Sequence, residues 1–123
     1  MKLCVDFRQL NEITISDNYP LPIISDILDQ VGGHKYYTTL DLEQGFQQVK
    51  LDHRDTCKCK AQFGHCEFVR MPFGMRNAPA SFQRLINTVL RELIGKVCFC
   101  YIDDIIIFAD SCEQHVERFN MVM

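Results

Sequence analysis

The sequence predicts an α+β fold, a mostly antiparallel sheet backed by helices. Three observations lead there. The runs VCFCYI and IIIFA have the length and apolar content of two strands, hinged on Asp103-Asp104. Phe82, Leu85, Ile86, Val89, Leu90 and Leu93 recur at helical spacing. Lys35 to Leu40 is rich in Tyr and Thr, as strands are. No internal repeat, low-complexity tract or linker interrupts the chain, so residues 1-123 read as a single partial domain, cut at both ends.

In chain order, Leu3 to Phe7 reads as a short strand, and Arg8 to Pro20 as polar and irregular. Pro22 suits a helix N-terminus, where its missing N–H is harmless. Ile24, Ile27, Leu28 and Val31 then form a helical face, ended by Gly32-Gly33. After the strand at 35–40, Phe46 to Leu51 is expected to continue the sheet beyond a turn at Gly45. Cys57 to Phe63 and Cys66 to Met71 read as a hairpin about Gly64. Asn77 is placed to cap the next helix, with Pro79 in its first turn and Gly95 beyond its end. Ser111 and Gln114 resemble a capping box opening a last helix.

The apolar fraction is 47% and the charged fraction 24%, values of an ordinary globular domain. No run of about 18 apolar residues occurs, so neither a transmembrane helix nor a membrane partner is expected. The N-terminus lacks the pattern of a signal peptide. The net charge of −3 argues against a free-standing nucleic-acid binder, because phosphate contacts come from Lys and Arg. The seven cysteines are an odd number, which favours reduced thiols and an intracellular setting. The pairs Cys57/Cys59 and Cys98/Cys100 have C-x-C spacing, which in a strand puts both side chains on one face. A zinc site usually wants wider spacing. A zinc-stabilised module is an alternative that metal analysis would decide.

Tyr101-Ile102-Asp103-Asp104-Ile105 is the most informative stretch. A glycine-containing pair would make an easier tight turn there. Two ionised acids about 4 Å apart repel by roughly 1 kcal/mol in water and about 4 kcal/mol at an effective dielectric of 20. A divalent cation would offset this, and a solvated turn is the alternative. Asp41 ends another strand-like run, Tyr36 to Leu40. If that strand lies beside the Asp103 hairpin, three carboxylates converge on a site suited to in-line phosphoryl transfer.

Five blocks carry a family resemblance. They are Cys4-Val5-Asp6-Phe7-Arg8-Gln9-Leu10-Asn11, Tyr19-Pro20-Leu21-Pro22, Leu40-Asp41-Leu42-Glu43-Gln44-Gly45-Phe46, Met71 to Gln83, and Tyr101-Ile102-Asp103-Asp104. In this order they resemble reverse transcriptases, the RNA-directed DNA polymerases of gypsy-type LTR retrotransposons and their retroviral relatives. The resemblance covers nearly the whole chain. It implies a palm-type sheet with part of the fingers, and a thumb outside these residues.

The resemblance further implies that Asp41, Asp103 and Asp104 are the catalytic carboxylates. Asp41, Asp103 and the Leu42 carbonyl would hold two Mg²⁺ ions, with Mn²⁺ as a substitute, and Asp104 would support the site. Phe46 would lie under the sugar and exclude a 2′-hydroxyl. Phe73, Gly74 and Lys2 would meet the dNTP. Arg8, Gln83 and Tyr101 would touch nucleic acid. Implied partners are an RNA or DNA template with its primer, dNTPs, and the thumb and RNase H segments of a pol polyprotein. The implied location is cytoplasmic, in a virus-like particle.

Two departures stand out. The stretch Asp55 to Phe63 is about two residues shorter than the family's Lys-Thr-Ala-Phe region, an even loss that preserves strand alternation. The basic segments that grip a duplex are not in this chain, so alone it is expected not to polymerise processively. One alternative is a catalytically dead retroelement remnant, compatible with the same acids. Another is an RNA-directed RNA polymerase, against which Phe46 speaks.

Overall fold

The computed structural model describes residues 4–61 and 64–123, with only the backbone for residues 57–61. The elements run α1 (Arg8–Ile13), α2 (Ile24–Val31), β1 (Tyr36–Asp41), a 3₁₀ turn (Gly45–Gln48), β2 (Cys57–Ala61), β3 (Gly64–Phe68), α3 (Ala78–Val89), β4 (Cys98–Tyr101), β5 (Asp104–Ala109) and α4 (Cys112–Val122). The α+β expectation holds. A three-stranded antiparallel sheet has the order β1-β5-β4, and β2-β3 is a separate hairpin. No helix among the described residues is long and apolar enough to cross a membrane.

The core lies between α3 and one face of the sheet. Phe82, Ile86 and Leu90 from α3 and its C-cap meet Cys98, Cys100, Ile105 and Ile107. These positions alternate along β4 and β5, so period two on the strands matches the helical stripe above them. Cys98 and Cys100 do share a face, at 0% and 3% exposure. Burying a side chain like Phe82, 1% exposed, stabilises by about 1.5–3 kcal/mol. Leu85 and Val89, from the same stripe, remain exposed. On the opposite sheet face, Phe99 stacks on Phe108.

Several expectations need correction. Residues 4–7 form no strand, and Arg8 to Ile13, expected to be irregular, are helical. Phe46 does not begin a strand but lies in the 3₁₀ turn, leaving one isolated bridge between Lys50 and Arg70. Here α2 presents the expected periodicity, yet only Val31 is buried while Ile24 and Leu28 are exposed. Asn77 occupies the N-cap of α3 without capping it. Its side chain instead accepts from the Asp17 amide and donates to the Ile15 carbonyl, tying residues 15–17 to the helix. Ser111 Oγ does accept from the Gln114 amide, but Gln114 reaches back to the Asp110 amide, one residue beyond the N-cap amide of a standard capping box.

Candidate active site

The sheet register brings the acids together. β1 pairs with β5 so that Asp41 faces Asp104, and β4 pairs with β5 so that Tyr101 faces Asp104. Between β4 and β5, Ile102 and Asp103 form the turn. The Leu42 amide donates to the Asp103 carbonyl at 2.9 Å, extending the β1 side of the ladder past the acids. Carboxylate oxygens of Asp41, Asp103 and Asp104 all lie within 4.8 Å of one another. This is the one such cluster of His, Cys, Asp and Glu among the described residues. Asp103 is half-buried, and the other two are exposed.

The donor set fits a hard divalent cation. All three side chains offer oxygen, and Mg²⁺ is held by carboxylates together with waters and phosphates. Two oxygens across one octahedral Mg²⁺ are about 4.2 Å apart, twice its bond length. The three carboxylate oxygens, all within 4.8 Å of one another, are gathered closely enough to face a common ion. No ion pair with Lys, Arg or His is seen at Asp41, Asp103 or Asp104 among the described residues.

Close packing sets the floor of the site. Gly45 is buried beneath it. A Cβ added at Gly45 would lie 2.9 Å from Phe82 Cζ and 3.3 Å from Asp103 Cβ. Gly45 therefore lets the 3₁₀ turn approach the acidic turn, a role beyond the simple bend its sequence position suggested. The ring of Phe46 packs edge-on against Phe82 at 5.4 Å and Phe73 at 5.3 Å. Phe46 thus belongs partly to the core and partly to an aromatic cluster joined to the acids through Gly45.

The other expected site residues are spread more widely. Phe73 is 41% exposed, at the rim of that cluster. Gly74 has φ +90°, and its carbonyl accepts from the Asn11 side chain. Arg8 is exposed and doubly bonded to Asp6, at 2.6 and 2.9 Å. These hydrogen bonds hold the Asp6 carboxyl at about 2, below its ordinary 3.8. Tyr101 is half-buried beside the acids. Lys2 lies outside the described residues. Gln83 does not fit its expected contact with a template. It is 0% exposed, and its amide is bonded inside the protein. Burial raises both inner thiols, that of Cys100 to about 12.

Comparison with known proteins agrees with this geometry. Residues 1–123 match the family described as reverse transcriptase (RNA-dependent DNA polymerase). The retrovirus-related Pol polyprotein from transposon 297 of Drosophila melanogaster is 46% identical over 123 residues, covering 98% of this chain and 12% of that protein. The gypsy Pol polyprotein of the same fly is 47% identical over 124 residues, with 99% and 12% covered. An RNA-directed DNA polymerase homolog from Oenothera berteroana is 35% identical over 127 residues, with 99% and 89% covered. The chain thus spans about one-eighth of the length of the first two relatives. Among solved structures, the native prototype foamy virus protease-reverse transcriptase superposes with a TM-score of 0.81 at 27% identity, over 98% of this chain and 16% of that one. The foamy viral protease-reverse transcriptase in complex with RNA/DNA hybrid gives 0.85 at 23% identity, over 95% and 16%. With the sheet, the acidic cluster and the family match in agreement, this chain belongs to the reverse transcriptase family.

Proposed function

We propose that the chain is the palm, with part of the fingers, of an RNA-directed DNA polymerase that extends a primer 3′-hydroxyl with dNTPs by two-metal phosphoryl transfer. The observation that carries this reading is the convergence of Asp41, Asp103 and Asp104 from adjacent strands to within 4.8 Å. In it, Asp41 and Asp103 hold Mg²⁺ or Mn²⁺, with the Leu42 carbonyl as a further ligand and Asp104 adding negative potential. When bound, the ions neutralise charge on the transferring phosphoryl group and on the attacking and leaving oxygens.

The chain's own residues supply position. Hydrogen bonding of β1 to β5 fixes the distance between acids that are far apart in sequence. Phe46, braced by Phe73 and Phe82, would exclude a 2′-hydroxyl by the bulk of its ring. Phe73 and Gly74 would contact the incoming nucleotide, with Lys2 toward its phosphates. Arg8 and Tyr101 would contact template or primer. Structures of relatives bound to RNA/DNA hybrid and to dsDNA support a template–primer duplex as partner. Pol polyprotein relatives support other pol segments as further partners, and a thumb and RNase H would be among them.

Calorimetry with Mn²⁺ tests the reading. Wild type binds the ion, and Asp103→Asn loses most of that binding while keeping its circular dichroism spectrum. Its stability without metal holds or rises slightly, because one like charge is removed. Equal Mn²⁺ binding by both proteins would refute the assignment.

A further inference from the structure

The turn carrying Asp103 is built on a residue poorly suited to it. Ile102 has φ +55°, a region that β-branched side chains rarely enter. Strain of this kind persists only where the surroundings impose it. Here the Ile102 amide donates to Gln83 Oε1 at 2.6 Å, and the Ile102 carbonyl accepts from Cys100 Sγ at 3.4 Å.

Gln83 projects from α3 and is the one fully buried polar residue among the described residues. Its Nε2 donates to the Cys100 carbonyl at 3.2 Å and to Asn87 Oδ1 at 2.9 Å. The Cys100 carbonyl only accepts and the Ile102 amide only donates, so the Gln83 amide can face one way, with its oxygen toward Ile102. Gln83 Nε2 orients Asn87 in turn, and Asn87 Nδ2 then donates to the Tyr19 hydroxyl at 2.8 Å. Tyr19 is held by its own amide, bonded to Asp17 Oδ1 at 3.0 Å, and by Arg84, which lies over the ring and pairs with Asp17 at 2.7 Å. A hydrogen-bonded chain thus runs from the extended segment before α2, through α3, to the acidic turn. A buried amide is costly unless its bonding is complete, and an apolar residue would fill the space without that demand.

We propose that Gln83 is a positioning residue for the acidic site. By holding Ile102 at positive φ it sets the Asp103 carboxylate at sharing distance from Asp41 and Asp104, and Asn87, backed by Tyr19, completes the hydrogen bonding of its amide. The inference rests on the metal-site reading for its consequence, and on the hydrogen bonds alone for the geometry of the turn.

The test uses the 123-residue protein and Gln83→Met, which matches the side chain's length but accepts no comparable hydrogen bond. Amide exchange followed by NMR should quicken about tenfold at Ile102 while Ile107, deeper in β5, keeps its rate. Mn²⁺ affinity should fall by a similar factor, about tenfold. Adding Ile102→Gly should restore most of that affinity, since glycine takes positive φ without being held. Should Gln83→Met fail to fold, Tyr19→Phe, which removes only a hydroxyl, carries the same comparison with a smaller increase at Ile102. Unchanged exchange at Ile102, or an equal rise throughout β5, would overturn the positioning role. So would lost affinity that Ile102→Gly does not restore, as expected of a side chain that only fills the core. Absence of Mn²⁺ binding by wild type would instead refute the metal reading, and the exchange rates would still decide the role of Gln83.

Discussion

Gly45→Ala is the most local perturbation available at the acids. The new methyl would sit 2.9 Å from Phe82 Cζ and 3.3 Å from Asp103 Cβ. Phe82 is 1% exposed, so its ring has little room to withdraw. Overpacking of this kind costs about 1–3 kcal/mol. Gly45 does not have positive φ, so alanine recovers up to about 1 kcal/mol of backbone entropy. The net expectation is a loss of about 1 kcal/mol, or about 4 °C in Tm for a domain of this size. Displacing the 3₁₀ turn also pushes on Asp103, so the stabilisation gained on adding Mn²⁺ should shrink as affinity falls. Gly33→Ala is the control, because an added Cβ there meets nothing within 4 Å. That variant should be neutral or up to about 1 kcal/mol more stable. The assay is thermal unfolding followed by circular dichroism, with and without Mn²⁺. If Gly45→Ala matches Gly33→Ala in Tm and keeps the wild-type Mn²⁺ shift, the close approach of the 3₁₀ turn to Asp103 is not what shapes the site.

Three further outcomes are expected. In a protein carrying the additional polymerase segments of its relatives, Phe46→Val should raise the ribonucleotide to deoxynucleotide ratio of kcat/KM by about tenfold or more, and an unchanged ratio would make Phe46 only a packing residue. The Asp6 carboxylate should titrate at about 2 by NMR, and Arg8→Ala should return it toward 3.8. Its folded pKa is depressed, so its small contribution to stability is complete above the unfolded value and is lost as pH falls toward 2. Iodoacetamide at pH 8 should modify exposed Cys4, Cys66 and Cys112 in the folded protein, while Cys98 and Cys100 stay unmodified until it unfolds. Early modification of Cys100, read by peptide mass spectrometry, would contradict its burial.

The elements legible in the sequence were those whose periodicity coincides with burial. The stripe through Phe82, Ile86 and Leu90 and the apolar runs around Asp103-Asp104 carry their own partners' pattern, so α3, β4 and β5 follow directly. Asp41 was legible as a strand-end acid, and the register with Asp104 bears out the adjacency that spacing alone left open. Helix α1 was not legible, because it buries none of its residues and so has no apolar stripe. It is anchored instead by Phe7, 8% exposed, and by Asn11, whose side chain reaches the Gly74 carbonyl and the Arg76 amide. Residues 46–51 were expected to extend the sheet, but the Phe46 ring is drawn into the Phe73 and Phe82 cluster and the backbone tightens into a 3₁₀ turn. Gln83 could not be placed from its type, since glutamine is usually exposed. The clue lay in its position one residue beyond Phe82, still on the core side of a buried helix.

The pairing of Asp41 with Asp104 also makes the acidic cluster depend on a contact between distant parts of the chain. Asp103 and Asp104 lie at a local hairpin, which can close within microseconds of initiating folding. Asp41 arrives only when β1 docks on β5, closing a segment of roughly 60 residues at an entropic cost of about 3.7 kcal/mol on a (3/2)RT ln n scale. The nascent hairpin therefore carries its two acids without the third, and a complete three-acid chelate forms only when that docking is done. Under the proposed metal reading, ion capture would report on the docking of β1 onto β5.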